Sequence, residues 1–389
     1  MNRPRQLLTV GHSYVVALNR RLAHELARVG AERWEVTVAA PTFVHGDLRP
    51  ISLEPFPGEA GRLVPVNAYL TARPHVMFYG RRLHSLFAQR WDFVHAWEEP
   101  FILSGGQFAR WNRSARLVYY TFQNIPKRYP PPFCWIERLA IGRATAWLAA
   151  GHTVAATLRN RPGYADKPHR VLPLGVDVGV FRPDPAARVT LRRSLGWSDP
   201  GPPVIGYLGR FVPEKGLGLL MQALQDLPTP WRALFVGGGQ LTTALREWGK
   251  RFPADRVRVV TGVPHDQVPA YLNAMDLLAA PSQTTPRWRE QLGRMLIEAM
   301  ACGVPVLGSD SGEIPFVIAD AGIVLPEADV HAWTTTLAAL LQNSAQRAEL
   351  AARGLERAHA RFAWPVVARQ HLDFFDEILD YGSPLSLNF

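Results

Sequence analysis

The sequence predicts an α/β protein made of two Rossmann-like, doubly wound parallel-sheet domains that face each other across a cleft. Short apolar runs alternate with helix-length segments along the whole chain, the pattern of a parallel sheet covered on both faces. The alternation restarts once, after a Pro- and Asp-rich stretch at 176–203. The 389 residues suffice for two or three domains at about 150 residues each.

In the first half, Leu7 to Val10 is an apolar run ending at Gly11. Val15, Leu18, Leu22, Leu26 and Val29 then recur at helical spacing, with Gly30 as a stop. WEVTVAA (34–40), DFVHAW (92–97), ARLVYYT (115–121) and AWLAAG (146–151) read as further strands. Segment 176–203 reads as a linker. Beyond its start, 202–209, 231–237, 256–260, 276–281, 304–308 and 321–326 read as the strands of a second sheet. From Trp364 to Tyr381, the residues Val366, Val367, His371, Phe374, Phe375 and Ile378 sit at helix-compatible positions. That helix has much apolar surface and no sheet of its own. The expected divisions are 1–175, 176–363, and a C-terminal segment 364–389 that packs back on the first domain.

At 47% hydrophobic and 20% charged, the chain is neither mainly disordered nor collagen-like nor a coiled coil. No apolar run reaches the roughly 18 residues of a membrane span. The start passes from a short basic stub straight into a strand, without an apolar signal region. Two cysteines, Cys134 and Cys302, make no disulfide framework. A cytoplasmic location with reduced thiols is expected. The net charge of +10 is uneven: residues 1–175 hold 23 Lys+Arg against 11 Asp+Glu. Such a half suits an anionic partner, and an arginine-rich coding bias gives the same count. No recognisable nucleic-acid module is present, so nucleic acid is not an expected partner.

GRFVPEKG (209–216) follows the strand VIGYL. A strand entering a glycine-rich turn puts backbone N–H groups and a helix N-terminus at its carboxyl end, which is an anion site. Beside Gly209, Arg210 supplies a planar fork and Lys215 a point charge, a pairing suited to a diphosphate. Walker spacing is absent. FVGGGQ (235–240) ends the next strand in three glycines, permitting close backbone approach. In REQLGRMLIEAMACGVPVLGS (289–309), Glu290 and Glu298 stand eight apart, with Gly293 where a loop would turn into a helix. Eight helical residues rise about 12 Å, roughly the span from a sugar across a diphosphate to a ribose. Glu298 can accept hydrogen bonds from vicinal ribose hydroxyls, and Glu290 from a sugar. The N–H groups from Gly293 through Met295 to Leu296 would face the diphosphate. Two exposed glutamates opening an amphipathic helix would show the same spacing.

These residues carry a resemblance. Four stretches in order, VLPLGVDVGVFRPD (171–184), GRFVPEKGLGLLMQAL (209–224), VPHDQVPAYLNAMDLLAAPS (263–282) and EQLGRMLIEAMACGVPVLGSDSGEIP (290–315), resemble the GT-B-fold retaining glycosyltransferases of family 4 (glycosyl transferases group 1). The likeness runs over about residues 170–340. It implies a donor-binding second domain in which Arg210 and Lys215 hold the donor diphosphate, Glu298 the ribose and Glu290 the donor sugar. Backbone around Val263 would meet the nucleotide base. It implies transfer of a hexose from a nucleotide sugar, UDP- or GDP-linked, with retention and without a metal or other cofactor. The sequence itself offers no compact metal-ligand cluster. The expected acceptor is a glycan or a lipid-linked glycoconjugate of the cell envelope, held by the first domain. A soluble sugar or sugar phosphate is the alternative, and a nucleotide-sugar-binding protein without transfer is a third reading.

The first half departs from the family pattern. The loop GHSYV (11–15) has one glycine, though Gly11 could still let backbone approach the diphosphate. His12 faces the cleft or caps the helix. After ARLVYYT the chain continues Thr121, Phe122, Gln123, Asn124, without the histidine many members have there. Gln123 and Asn124 are candidates to bond an acceptor or donor hydroxyl. His95, beside Glu98 and Glu99, lines the site or is buried at its strand end. Phe316 stands where many members have glutamate. YGRRLHSLFAQRW (79–91) is a basic helix with Leu83, Leu86 and Phe87 on one face. That face either lies on an anionic membrane, making the protein peripheral on the inner face of the cell membrane, or faces the core. QNIPKRYPPPF (123–133) reads as a semi-rigid basic loop.

Overall fold

The computed structural model describes residues 3–46, 50–198 and 200–380. Asp199 in the linker stretch, and Tyr381 at the expected helix end, lie outside the described residues. The chain divides into two compact units, 1–174 together with 364 onward, and 175–363.

The first unit contains β1 (Arg5–Val10), β2 (Trp34–Pro41), β3 (Phe43–His45), β4 (Pro50–Ser52), β5 (Arg62–Val66), β6 (Ala68–Tyr69), β7 (Phe78–Tyr79), β8 (Phe93–Ala96), β9 (Arg116–Thr121), β10 (Ala146–Ala149) and β11 (His169–Val171). Its helices are α1 (Arg21–Val29), α2 (Arg81–Phe87), α3 (Leu103–Trp111), α4 (Phe133–Arg143) and α5 (His152–Arg159). Seven strands form one parallel sheet in the order β11-β10-β9-β8-β1-β2-β5. β3 pairs with β4, and β6 with β7, as small antiparallel hairpins. The order reverses between β1 and β8. In an open parallel sheet that switch point leaves a crevice beyond the carboxyl ends.

The five strands read from the sequence are present, and β5 and β11 extend the sheet at its edges. β5 carries Pro65, tolerated on an edge because its missing N–H faces no neighbour. β11 has only three residues, too short for a periodic signal. The expected first helix is also split. His12–Val15 and Ala17–Arg20 are 3₁₀ turns, and regular helix starts at Arg21. The buried Arg20 guanidinium explains the break: it donates to the carbonyls of Tyr14 and Glu54, each at 2.6 Å, and pairs with Glu59. A buried cation needs all those partners, and the turns supply them.

The second unit contains α6 (Pro185–Ser194), β12 (Val204–Arg210), α7 (Leu217–Gln225), β13 (Arg232–Gly238), α8 (Thr242–Gly249), β14 (Val257–Val260), α9 (Val268–Asn273), β15 (Leu277–Ala280), α10 (Arg294–Ala301), β16 (Val306–Ser309), α11 (Ile314–Ile318), β17 (Ile323–Leu325), α12 (Val330–Gln342) and α13 (Ser344–Arg357). The six strands run parallel in the order β14-β13-β12-β15-β16-β17, with the switch point between β12 and β15. Segment 176–203 is not a plain linker. Asp184 caps α6 by accepting from the Ala187 amide, with Pro185 in the first turn. Arg188 and Arg192 bond Asp276 at 2.6 Å each, tying α6 to the start of β15. Composition hid a helix that its arginines anchor.

α14 (Trp364–Asp380) belongs to the first unit. Val367, His371, Leu372, Phe375 and Ile378 are buried, and the Phe375 ring packs at a tilt on Phe93 with centroids 4.3 Å apart. Asp376 pairs with Arg5 and Arg33. The apolar face read from the sequence is therefore core.

Candidate functional site

In the second unit the notable side chains gather at the carboxyl edge. β12 ends at the exposed Arg210. A 3₁₀ turn, Pro213–Lys215, then leads through Gly216 into α7. Gly216 sits at φ 72°, and a Cβ there would fall 1.7 Å from the Pro281 carbonyl oxygen. Only glycine lets the two loops of the switch point meet so closely. Lys215 Nζ donates to Glu290 Oε2 at 2.5 Å, and Ser282 Oγ donates to the same oxygen at 2.9 Å. Lys215 also lies over the Trp288 ring, 4.9 Å from its centroid. Glu298, buried on α10, is 3.1 Å from His265 Nε2, and Phe181 lies 5.4 Å from that imidazole. Val263 is half-buried, two residues before His265. The geometry thus joins Lys215 to Glu290, and Glu298 to the Val263 loop.

Two details of the expected site change. Helix begins only at Arg294, with Gly293 as a left-handed cap at φ 68°, so the separation of Glu290 and Glu298 is not eight residues of helical rise. The Leu296 amide donates to the Gly293 carbonyl at 2.9 Å and its side chain is buried, so it does not face an anion. Arg294 and Met295 carry the outer amides of the first turn, which has no side-chain cap.

At the carboxyl edge of the first sheet, Gly11 follows β1. A Cβ on it would lie 2.7 Å from the Trp97 carbonyl oxygen, so this glycine serves close packing between neighbouring strand ends. His12 Nδ1 is 2.6 Å from Glu98 Oε1, and the Glu98 side chain is buried. Burial alone would lower the His12 pKa; the Glu98 charge and hydrogen bond, with Glu99 behind, outweigh it and hold the imidazole above its ordinary value. Glu99 accepts from the Thr121 hydroxyl at 2.5 Å and the Phe122 amide at 2.8 Å. Burial nonetheless pushes its carboxyl up to about 7. Gln123 is half-buried and donates to the Ile125 carbonyl at 2.7 Å.

Three readings are corrected here. His95 is wholly buried, bonded to Thr9 Oγ1 at 3.0 Å and packed among Tyr120, His371 and Phe375. It lies inside β8, one residue short of the end, so its side chain enters the core; burial holds it neutral. Asn124 is also buried, its carbonyl accepting from Thr157, and where it stands it cannot meet an acceptor. Leu83, Leu86 and Phe87 of α2 belong to the first unit's core, so that helix offers no apolar face to a membrane. Sequence reasoning missed His265, Ser282 and Trp288. Each sits in a loop leaving a carboxyl strand end, the positional signal that could have marked them. Among the described residues, no group of three or more His, Cys, Asp or Glu could hold a metal ion, and no helix is long and apolar enough to cross a membrane.

Two doubly wound domains, each gathering polar side chains at its switch point, define the class of proteins with a GT-B architecture. Comparison makes the class specific. The family described as Glycosyl transferases group 1 matches residues 191–357, and Glycosyltransferase Family 4 matches 18–180. A D-inositol 3-phosphate glycosyltransferase from Xylanimonas cellulosilytica is 35% identical over 73% of this chain and 68% of its own. A GDP-mannose-dependent alpha-(1-6)-phosphatidylinositol monomannoside mannosyltransferase from Mycolicibacterium smegmatis is 35% identical over 50% of this chain; the match spans about half of that relative, 52%. Sucrose-phosphate synthase from Thermosynechococcus elongatus shares the fold, with a TM-score of 0.73 at 22% identity, over 98% of this chain and 100% of that one. Anabaena HepE in complex with UDP and glucose shares it too, with a TM-score of 0.72 at 18% identity, over 96% and 100%. The chain belongs to glycosyltransferase family 4.

Proposed function

We propose that the protein is a retaining, metal-independent glycosyltransferase that moves a hexose from a UDP- or GDP-linked donor to a glycan or lipid-linked acceptor in cell-envelope biosynthesis. The observation that carries this reading is the cluster at the β12/β15 switch point, where Lys215, Ser282 and the buried Glu290 are already hydrogen-bonded, with Arg210 ending β12. In the reaction the bond from the anomeric carbon to the donor phosphate oxygen breaks and the acceptor oxygen bonds to that carbon. The acceptor proton passes to a phosphate oxygen of the leaving nucleoside diphosphate. Negative charge grows on that diphosphate, and Arg210, Lys215 and the first-turn amides of Arg294 and Met295 stabilise it. Glu290 accepts from sugar hydroxyls and Glu298 from the ribose. These carboxylates position the donor.

The names of the Mycolicibacterium relative and of further mannosyltransferases support a lipid-linked acceptor. A second reading, a soluble phosphorylated acceptor, is favoured by the inositol-phosphate relative, whose match spans most of this chain. The His12 imidazole, whose pKa the Glu98 carboxylate raises, would suit the phosphate of such an acceptor.

The test is a melting-temperature panel with UDP, GDP, ADP, dTDP and their sugar nucleotides, in EDTA and in magnesium. Ligands that bind only the folded chain raise the melting temperature by mass action. A shift with one base series, equal in EDTA, is the expected result. Shifts that need magnesium overturn metal independence. Binding without hydrolysis or transfer to any acceptor overturns the enzyme reading in favour of a binding protein.

A further inference from the structure

The first unit exposes five large hydrophobic side chains among the described residues: Phe43, Tyr69, Leu70, Trp135 and Leu139. All five lie in the connections that leave the carboxyl ends of β2, β5 and β9. Because the sheet is parallel, those ends share one edge. Side-chain contacts join the connections: His45 Nδ1 is 2.7 Å from Thr71 Oγ1, and the His75 ring lies 5.8 Å from that of Phe133. These contacts tie the three connections together near the carboxyl ends, and α4 runs back from there along the face of the sheet.

The clearest part is α4. Trp135, Arg138, Leu139 and Gly142 are exposed at helical spacing, while Glu137, Ala140 and Ile141 face the core. Trp135 is 61% exposed and Leu139 39%. The only carboxylate in residues 123–143 is Glu137, buried in an ion pair with Arg161 at 2.8 Å. The charges left on the surface of that stretch are Lys127, Arg128, Arg138 and Arg143. Residues 67–80 contain no carboxylate, and there Arg73 and His75 are exposed beside Tyr69 and Leu70. An aromatic and leucine pair on a helix whose own surface charges are all positive is complementary to an anionic lipid interface: rings sit at headgroup depth and cations meet phosphates.

We propose that the outer face of α4, with the loop before it, docks on an anionic phospholipid bilayer, with Trp135 and Leu139 inserted and Lys127, Arg128 and Arg138 on the headgroups. The apolar stripe of α2 is excluded by burial, so docking falls to α4 and the loops beside it. That such docking would present a lipid-linked acceptor to the transfer site rests on the proposed transferase function. Docking itself does not.

The test uses the full chain without any sugar nucleotide, in flotation with vesicles of phosphatidylcholine alone or mixed with phosphatidylglycerol. The expected result is binding to the mixed vesicles, weakened by salt, with little binding to phosphatidylcholine. W135S/L139S should cut the partition coefficient roughly tenfold or more at an unchanged melting temperature, since both side chains are exposed. K127E/R128E/R138E should abolish the salt-dependent part. Absence of wild-type binding, or W135S/L139S binding like wild type, overturns the proposal. So does self-association in sedimentation velocity that W135S/L139S removes without vesicle binding, which would assign the face to a second copy. Transfer to soluble acceptors, assayed separately, keeps a failure of docking distinct from a failure of the transferase reading.

Discussion

The carboxyl edges of the two sheets are built differently. In the second unit short turns follow β12 and β13, and the polar side chains are already paired, Lys215 with Glu290 and His265 with Glu298. Backbone shape does much of the work there, through Gly216 and Gly293 in left-handed conformations. In the first unit the connections from β2, β5 and β9 are long, and the edge holds two adjacent carboxylates, the buried Glu98 and the half-buried Glu99, against one imidazole, His12. Glu99 resolves the imbalance by keeping its proton up to about pH 7. An edge of paired side chains around glycine turns suits one constant ligand part. An edge of long insertions and uneven charge suits a part that varies.

Substitutions can break or sharpen that contrast. Lys215→Met should have the largest effect, lowering kcat by about 10²–10³-fold through loss of charge stabilisation on the leaving group. Glu290→Gln beside it should keep the fold, since Ser282 can still donate to the amide oxygen. Steady-state kinetics with a fixed acceptor read both; a Lys215→Met enzyme within threefold of wild type would refute the assignment. Next, Glu298→Gln should weaken donor binding by roughly 10–100-fold, the worth of a hydrogen bond to a charged group. It should change acceptor KM little, as calorimetry with the nucleoside diphosphate and acceptor titrations can check.

Glu98→Gln should act on the first edge alone. The folded pKa of His12 lies above its unfolded value, so the pair stabilises the chain fully below about pH 6.5. That contribution is lost as pH rises through the folded value. In Glu98→Gln the His12 resonance should titrate lower, and the stability difference from wild type should vanish at high pH. Unchanged titration would break the proposed pairing. The smallest effect belongs to Glu99→Gln. Between about 4.5 and 7 the unfolded carboxyl is ionised while the folded one keeps its proton, so wild-type stability falls as pH rises through that window. The glutamine variant should lack that slope in denaturant melts taken from pH 4 to 8.

The edges also differ in how far they could be read. Arg210, Lys215 and Glu290 stood out because each flanks a glycine turn or a strand end, and Glu298 because it stands eight residues from Glu290 on the helix that follows. His95 was misread because one residue of register decides whether a side chain lies inside the sheet or beyond it, and Asn124 because the loop after β9 folds down onto Thr157 of α5. α2 was ambiguous for a related reason: a basic amphipathic helix looks alike whether its apolar stripe meets lipid or core, and only Leu83, Leu86 and Phe87 in the packed interior decide.

By itself the sequence determined the alternation of strands and helices, the restart that makes two sheets, and the strand-end motifs of the family. These are local or periodic properties, legible because a parallel sheet needs continuous apolar runs and its turns need glycine. Tertiary structure alone decided the pairing of Lys215 with Glu290, 75 residues away. It alone set His12 against Glu98, 86 residues away, and buried the acid partner of α4 so that only its cations remain at the surface. Such pairings depend on which strand ends become neighbours. That follows from sheet order, a property of the whole packed chain that no short stretch of residues encodes.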